Sequence, residues 1–199
     1  MRATIACLAL AAMYGGPALA QQAGTMKSAT GPVAQTAASP ITDSVKGYYD
    51  NMRTWFTKSA EMMAEKDYAF HPATMPAADK AEIRTFGGLI GHVAQENYVF
   101  CAAATGEKAP ASSDGIDKKT VKADLQKALA ESFAFCDRIW AGTNDKNAST
   151  PTALPFGLGK STRLGTLVFN TTHDSEHYGN IVTYLRAKGL VPPSSAPAR

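Results

Sequence analysis

Apolar positions recur at helical spacing in four stretches of the chain, and alternation with a period of two is essentially missing. The first stretch starts near Thr42, with Asp43 or Ser44 as N-cap. It sets Tyr48, Met52, Trp55, Phe56, Ser59 and Met63 at helical spacing before Pro72 and Pro76 forbid continuation. The second is predicted from Asp79, where Glu82 three residues on completes a capping-box-like pair. It carries Ile83, Phe86, Ile90, Val93, Asn97 and Cys101 to a stop at Gly106. The third runs from Asp117 through Val121, Leu125, Leu129, Ser132, Cys136, Ile139 and Trp140 to Gly142. Residues 142–160 hold two prolines and three glycines among polar residues and read as a long loop. The fourth stretch opens at Ser161 or Thr162 and carries Leu164, Leu167, Val168, Thr171, Ser175, Val182 and Leu185 to Gly189, with Pro192 beyond it as an end signal. Four helices without strands predict an all-α domain over residues 41–191, most simply a four-helix bundle.

The ends have another character. Residues 1–20, MRATIACLALAAMYGGPALA, combine a basic Arg2, a short apolar run and a small-x-small ending, the pattern of a secretory signal cleaved after Ala20. The run is too short to span a bilayer, and no later segment is long and apolar enough to do so, which predicts a released protein without a membrane anchor. The bacterial periplasm is the best-fitting destination. Residues 21–40, mostly small and polar, read as a flexible linker, and residues 192–199, with three prolines, as a disordered tail. Without the leader, which takes Cys7, the chain keeps Cys101 and Cys136. An even cysteine count in an oxidising compartment makes a disulfide the leading reading, with two buried thiols as the alternative.

Composition narrows the classes further. A chain of 199 residues, 45% apolar and 19% charged, can build one domain with a real core and has no room for a second full-sized one. The formal net charge of +3, about +2 once Arg2 is removed, is far short of the basic excess that covers phosphates, so nucleic acid is not an expected partner.

Chemistry concentrates in the histidines, of which there are four. His173 and His177 are one turn apart on the fourth helix, about 6 Å along its axis, so that both imidazoles can reach one ion. Thr166, Asn170, Asn180 and Tyr184 extend a polar stripe on that side, and Asn170 and Asn180 are candidate substrate or supporting contacts. His92 stands among apolar neighbours on the second helix, with Glu96 one turn beyond it. Three neutral imidazoles from two helices would hold a divalent ion and leave positions for water, as catalytic sites do. His71, before Pro72, reads as a turn residue. The run His173-Asp174-Ser175-Glu176-His177 also matches the inverted zinc-protease motif H-x-x-E-H, but that motif needs a downstream carboxylate ligand, and no Asp or Glu follows His177.

Phe86-Gly87-Gly88-Leu89-Ile90-Gly91-His92-Val93-Ala94, the run from His173 to Arg186, and Gly189-Leu190-Val191-Pro192-Pro193 together resemble the DinB-like family of metal-binding four-helix bundles, over about residues 41–195. The resemblance implies an up-down-down-up bundle with a long crossover between helices two and three, and one divalent ion held by His92, His173 and His177. It implies parallel helices two and three, which would bring Cys101 and Cys136 to the same end. Relatives with known chemistry are mostly thiol-dependent transferases and isomerases, while others look like metal-dependent hydrolases.

Three functions follow as expectations. The first is a metal-dependent hydrolase in which the three histidines hold the ion and Glu96 transfers the proton. The others are a metal-dependent thiol S-transferase and a non-enzymatic stress protein that binds metal or a small ligand. Zinc, nickel, iron, cobalt and manganese all suit three imidazoles and water. The expected partner is a small molecule, and a homodimer is left open. Gly87, Gly88 and Gly91 read chiefly as sites of close helix packing.

Overall fold

Helix α1 (Pro40–Met62) begins two residues before Thr42, with proline at its first turn, where a missing N–H has no intrahelical partner to lose. Its cap comes from far along the chain. The Asp145 carboxylate accepts from the backbone N–H of Ile41 at 3.2 Å and of Thr42 at 2.8 Å, and from the Thr42 hydroxyl at 2.7 Å. The computed structural model describes residues 39–72 and 83–197. The leader, most of the linker and the Asp79 and Glu82 pair therefore lie outside the described residues.

Helix α2 (Phe86–Thr105) starts later than its apolar pattern predicts. Thr85 is the N-cap, its hydroxyl accepting from Gly88 N–H at 3.0 Å. Phe86 and Gly87 donate their backbone N–H groups to the carbonyls of Phe70 and Tyr68, each at 2.8 Å, so this first turn is tied to the end of the preceding connection. Ile83 and Arg84 remain outside the helix. Gly106, at φ +75°, ends it as expected.

The third helix is also shorter than predicted. Ile116–Lys118 forms a 3-10 turn, Val121 is extended, and α3 occupies Lys122–Ala141. Ile116 explains the interruption, because its side chain is fully buried in the core and holds the crossover against α2. A second correction concerns the long loop. It contains an antiparallel hairpin, β1 (Pro151–Leu154) with β2 (Gly159–Thr162), that pairs Pro151 with Thr162 and Leu154 with Gly159. Strands of four residues that are largely exposed carry too little apolar alternation to be read, and the Thr152 hydroxyl holds the ribbon to α4 by a 2.8 Å hydrogen bond with Thr166.

Helix α4 (Arg163–Ala187) begins at the expected cap, Thr162, whose hydroxyl accepts from Gly165 N–H at 3.1 Å. Beyond it the chain keeps partners where a disordered tail is predicted. Pro193–Ser195 makes a 3-10 turn, and Ser194 N–H donates to the Tyr178 hydroxyl at 3.0 Å.

The described residues are thus mostly helical, with one small two-stranded sheet. Contacts climb together in α2 and α3: Gly87 faces Leu125, Asn97 bonds Ser132, and Cys101 is disulfide-linked to Cys136. They run oppositely in α2 and α4, where Arg84 meets Tyr184 and Asn97 meets Asn170. They also oppose in α1 and α3, where Tyr49 and Arg53 bond Asp137 while Gln126 reaches Ala60. The core between the helices gathers Phe56, Phe86, Ile90, Leu125, Leu129, Trp140, Leu167, Ile181 and Leu185. Gly91 lets α2 approach the crossover, since a Cβ there would stand 3.1 Å from the Ile116 carbonyl oxygen and from Leu125.

Candidate metal centre

The opposed packing of α2 and α4 brings His92 to the pair His173 and His177. Their ring centroids are 5.2 Å (His92 to His173), 4.7 Å (His92 to His177) and 4.5 Å (His173 to His177) apart. One ring nitrogen from each falls within a set spanning no more than 4.8 Å. The Nε2 atoms of His173 and His177 are 3.0 Å apart. Two nitrogens that each bind one ion at about 2.0–2.1 Å stand about 2.9–3.4 Å apart over the usual range of coordination angles. The spacing therefore fits a shared ion.

The protonation state fits as well. Burial lowers the imidazole of His92 to about 3 and that of His173 to about 4. Burial also lowers His177, and the positive charge of Arg84 adds to the effect at all three rings. At neutral pH all three offer lone pairs, which a metal needs. The Nδ1 atoms of His173 and His177 are buried without a hydrogen-bond partner. Ring packing takes the orienting role that such a bond often has, with Phe100 lying 5.6 Å from His173.

Glu96 is half-buried one turn from His92, and burial raises its carboxyl above the ordinary value. Among the described residues the metal-competent group contains the three histidines and neither Glu96 nor His71. The two asparagines of the stripe separate. Asn180 lines a cleft of about 420 Å³ that reaches His177 and is bordered by Ile83, Arg84, Leu89, Thr183 and Tyr184. Asn170 is buried instead, its side-chain amide donating to the Asn97 carbonyl oxygen at 2.8 Å, and belongs to a core network that continues to Ser132.

Sequence reasoning missed four participants. Arg84 borders the cleft from outside any helix, and no periodicity marks it. Phe100 and Phe156 form an aromatic wall on the other side, with Phe100 ring centroids 6.2 Å from Phe156 and 5.1 Å from Phe169. Phe156 comes from the unread hairpin. Asp174, between the two helix-four histidines, is fully buried with both carboxylate oxygens unpartnered, and burial holds its carboxyl well above the ordinary value. Its position next to His173 was visible, but its direction into the core was not.

A helical bundle with three imidazoles gathered between two antiparallel helices is the class that fold and site define. The sequence profile of the DinB superfamily matches residues 48–181. The chain belongs to that superfamily. No curated protein sequence matches it.

Proposed function

We propose that His92, His173 and His177 hold one divalent ion, and that the centre hydrolyses a small molecule bound in the adjoining cleft. The observation that carries this reading is the convergence of three ring nitrogens beside a cleft that His177 itself lines. A divalent ion held by the three imidazoles would supply a Lewis acid and would acidify a water towards neutrality.

The remaining work falls to the chain. His92, His173 and His177, kept neutral by burial, donate their lone pairs without a proton to displace. Glu96, one turn along α2 from His92, would take the proton of the attacking water and pass it to the leaving group, and burial, which raises its carboxyl, favours that uptake. Leu89 and Ile83 present an apolar wall that strengthens polar contacts made inside the cleft.

The same proposal includes the up-down-down-up order of the four helices and export to an oxidising compartment. The paired directions of α2 with α3 and of α2 with α4 support the first. The Cys101–Cys136 disulfide supports the second, since such bonds persist outside the cytoplasm. The test of function is a panel of ester, amide, lactone and thiol-conjugation substrates run on metal-loaded wild type and on His177→Ala. Hydrolysis lost in the variant supports the proposal. Turnover only with a thiol favours the S-transferase, silence across the panel favours a ligand-binding protein, and hydrolysis unchanged in the variant overturns the metal mechanism.

A further inference from the structure

Arg84 is the basic side chain on the border of the cleft, and among the described residues its guanidinium has no ion-pair partner. Its backbone is fixed: the Tyr184 hydroxyl donates to the Arg84 carbonyl at 2.5 Å, clamping the segment before α2 to the end of α4. An exposed guanidinium carried at a cleft border by a fixed backbone, with no carboxylate partner among the described residues, presents a planar fork that matches a ligand's carboxylate. Asn180 and Thr183, on the α4 wall of the same cleft, add neutral hydrogen-bonding groups. The acidic residue nearest in sequence to His177, Glu176, is exposed and does not border the cleft.

The surroundings of the histidines differ in character towards the two ends of the α2–α4 pair. Arg84 and Tyr184 stand at one end, the histidines in the middle, and Phe100, Phe169 and the hairpin's Phe156 at the other. An anionic ligand therefore has one favourable orientation, with its charge towards Arg84. The scale is set by α4, because His177 and Tyr184 are separated by about 10 Å of helix axis, a span bridged by a short carbon chain. A volume near 420 Å³ lies within the range of small-molecule sites.

We infer that the cleft is built for a small carboxylate whose charged end pairs with Arg84 while its reacting group lies at the three histidines. This rests on the metal reading above and names the substrate class of that same site.

The test uses two hydroxamates of equal length on metal-loaded full chain, followed by titration calorimetry. Glutarate monohydroxamate carries a free carboxylate, and pentanohydroxamate has a methyl group in its place. Wild type is expected to bind the carboxylate probe at least about tenfold more tightly, as a charge-assisted pair provides. Arg84→Ala should lose that preference while keeping its metal and its affinity for the neutral probe, and Arg84→Lys should recover part of it. Equal affinities in wild type, or a preference that survives in Arg84→Ala, would overturn the carboxylate assignment alone. Wild type that takes up no metal and binds neither probe would overturn the metal reading, and this inference with it.

Discussion

Cys101 and Cys136 are disulfide-linked with their Cα atoms 5.4 Å apart, each in the last turns of its helix, so α2 and α3 carry their C-terminal ends side by side. A short hairpin between the two helices could not do this. The crossover must travel back along the bundle, and Ile116 is the anchor that keeps it there.

The bridge closes a loop of 35 residues. By the chain-entropy account it adds roughly 3–4 kcal/mol through restriction of the unfolded chain. Thiol titration of the denatured, unreduced protein should find neither Cys101 nor Cys136 free, and the double Cys101→Ser, Cys136→Ser variant should lose stability of that order in urea. Free thiols at both Cys101 and Cys136 would remove the bridge.

Asp145 joins the long loop to the first turn of α1, and the backbone N–H of Thr42 chiefly holds its carboxyl below the ordinary value. A lowered folded-state pKa means that its contribution is present above the unfolded value and is lost as pH falls through the folded one. Asp145→Ala should lower Tm at neutral pH, and the gap to wild type should close in acid, below the usual aspartate range near about 3.9. A gap that stays constant down to about pH 2 would rule out the carboxylate as its source.

Two helix glycines should behave oppositely. Gly179 is exposed within α4, and a Cβ there meets nothing within 4 Å, so Gly179→Ala should stabilise by about 0.5–1 kcal/mol. Gly91→Ala presses a methyl group against the Ile116 carbonyl oxygen at 3.1 Å, and the crossover must yield. Chemical denaturation should show a gain for the first and none for the second. An equal gain at both would mean that the crossover does not pack against α2 as described.

How much of this was legible depends on whether the interaction was local. A separation of four residues on one helix fixes two imidazoles on one face, so His173 and His177 could be paired from spacing, and Thr162, Gly106 and Gly189 mark helix ends through their own backbone chemistry. What failed was decided across the fold. The start of α1 depends on Asp145, the start of α2 on carbonyls of Tyr68 and Phe70, and the hairpin on Thr166. Asn170 shares the stripe of the histidines, yet its partner is Asn97 on another helix, which turns a candidate contact into a core amide. Arg84 reaches the site only because α2 and α4 run in opposite directions.

The hairpin tip gives a further check on the aromatic wall. Phe156 adopts φ +58°, a left-handed conformation costing a non-glycine residue roughly 1–2 kcal/mol, although its ring is 69% exposed. Phe156→Gly should leave stability unchanged or raise it, as urea denaturation would measure. A loss greater than about 1 kcal/mol would show that the ring's contact with Phe100 outweighs the strain.

The most direct measurement is the metal content of dialysed wild type, His92→Ala, His173→Ala and His177→Ala, with circular dichroism confirming that each remains folded. One divalent ion per wild-type chain is expected, with most of it lost in every variant, because two imidazoles hold an ion poorly. Full stoichiometric metal retained by His92→Ala and His173→Ala, or none taken up by wild type, would contradict it.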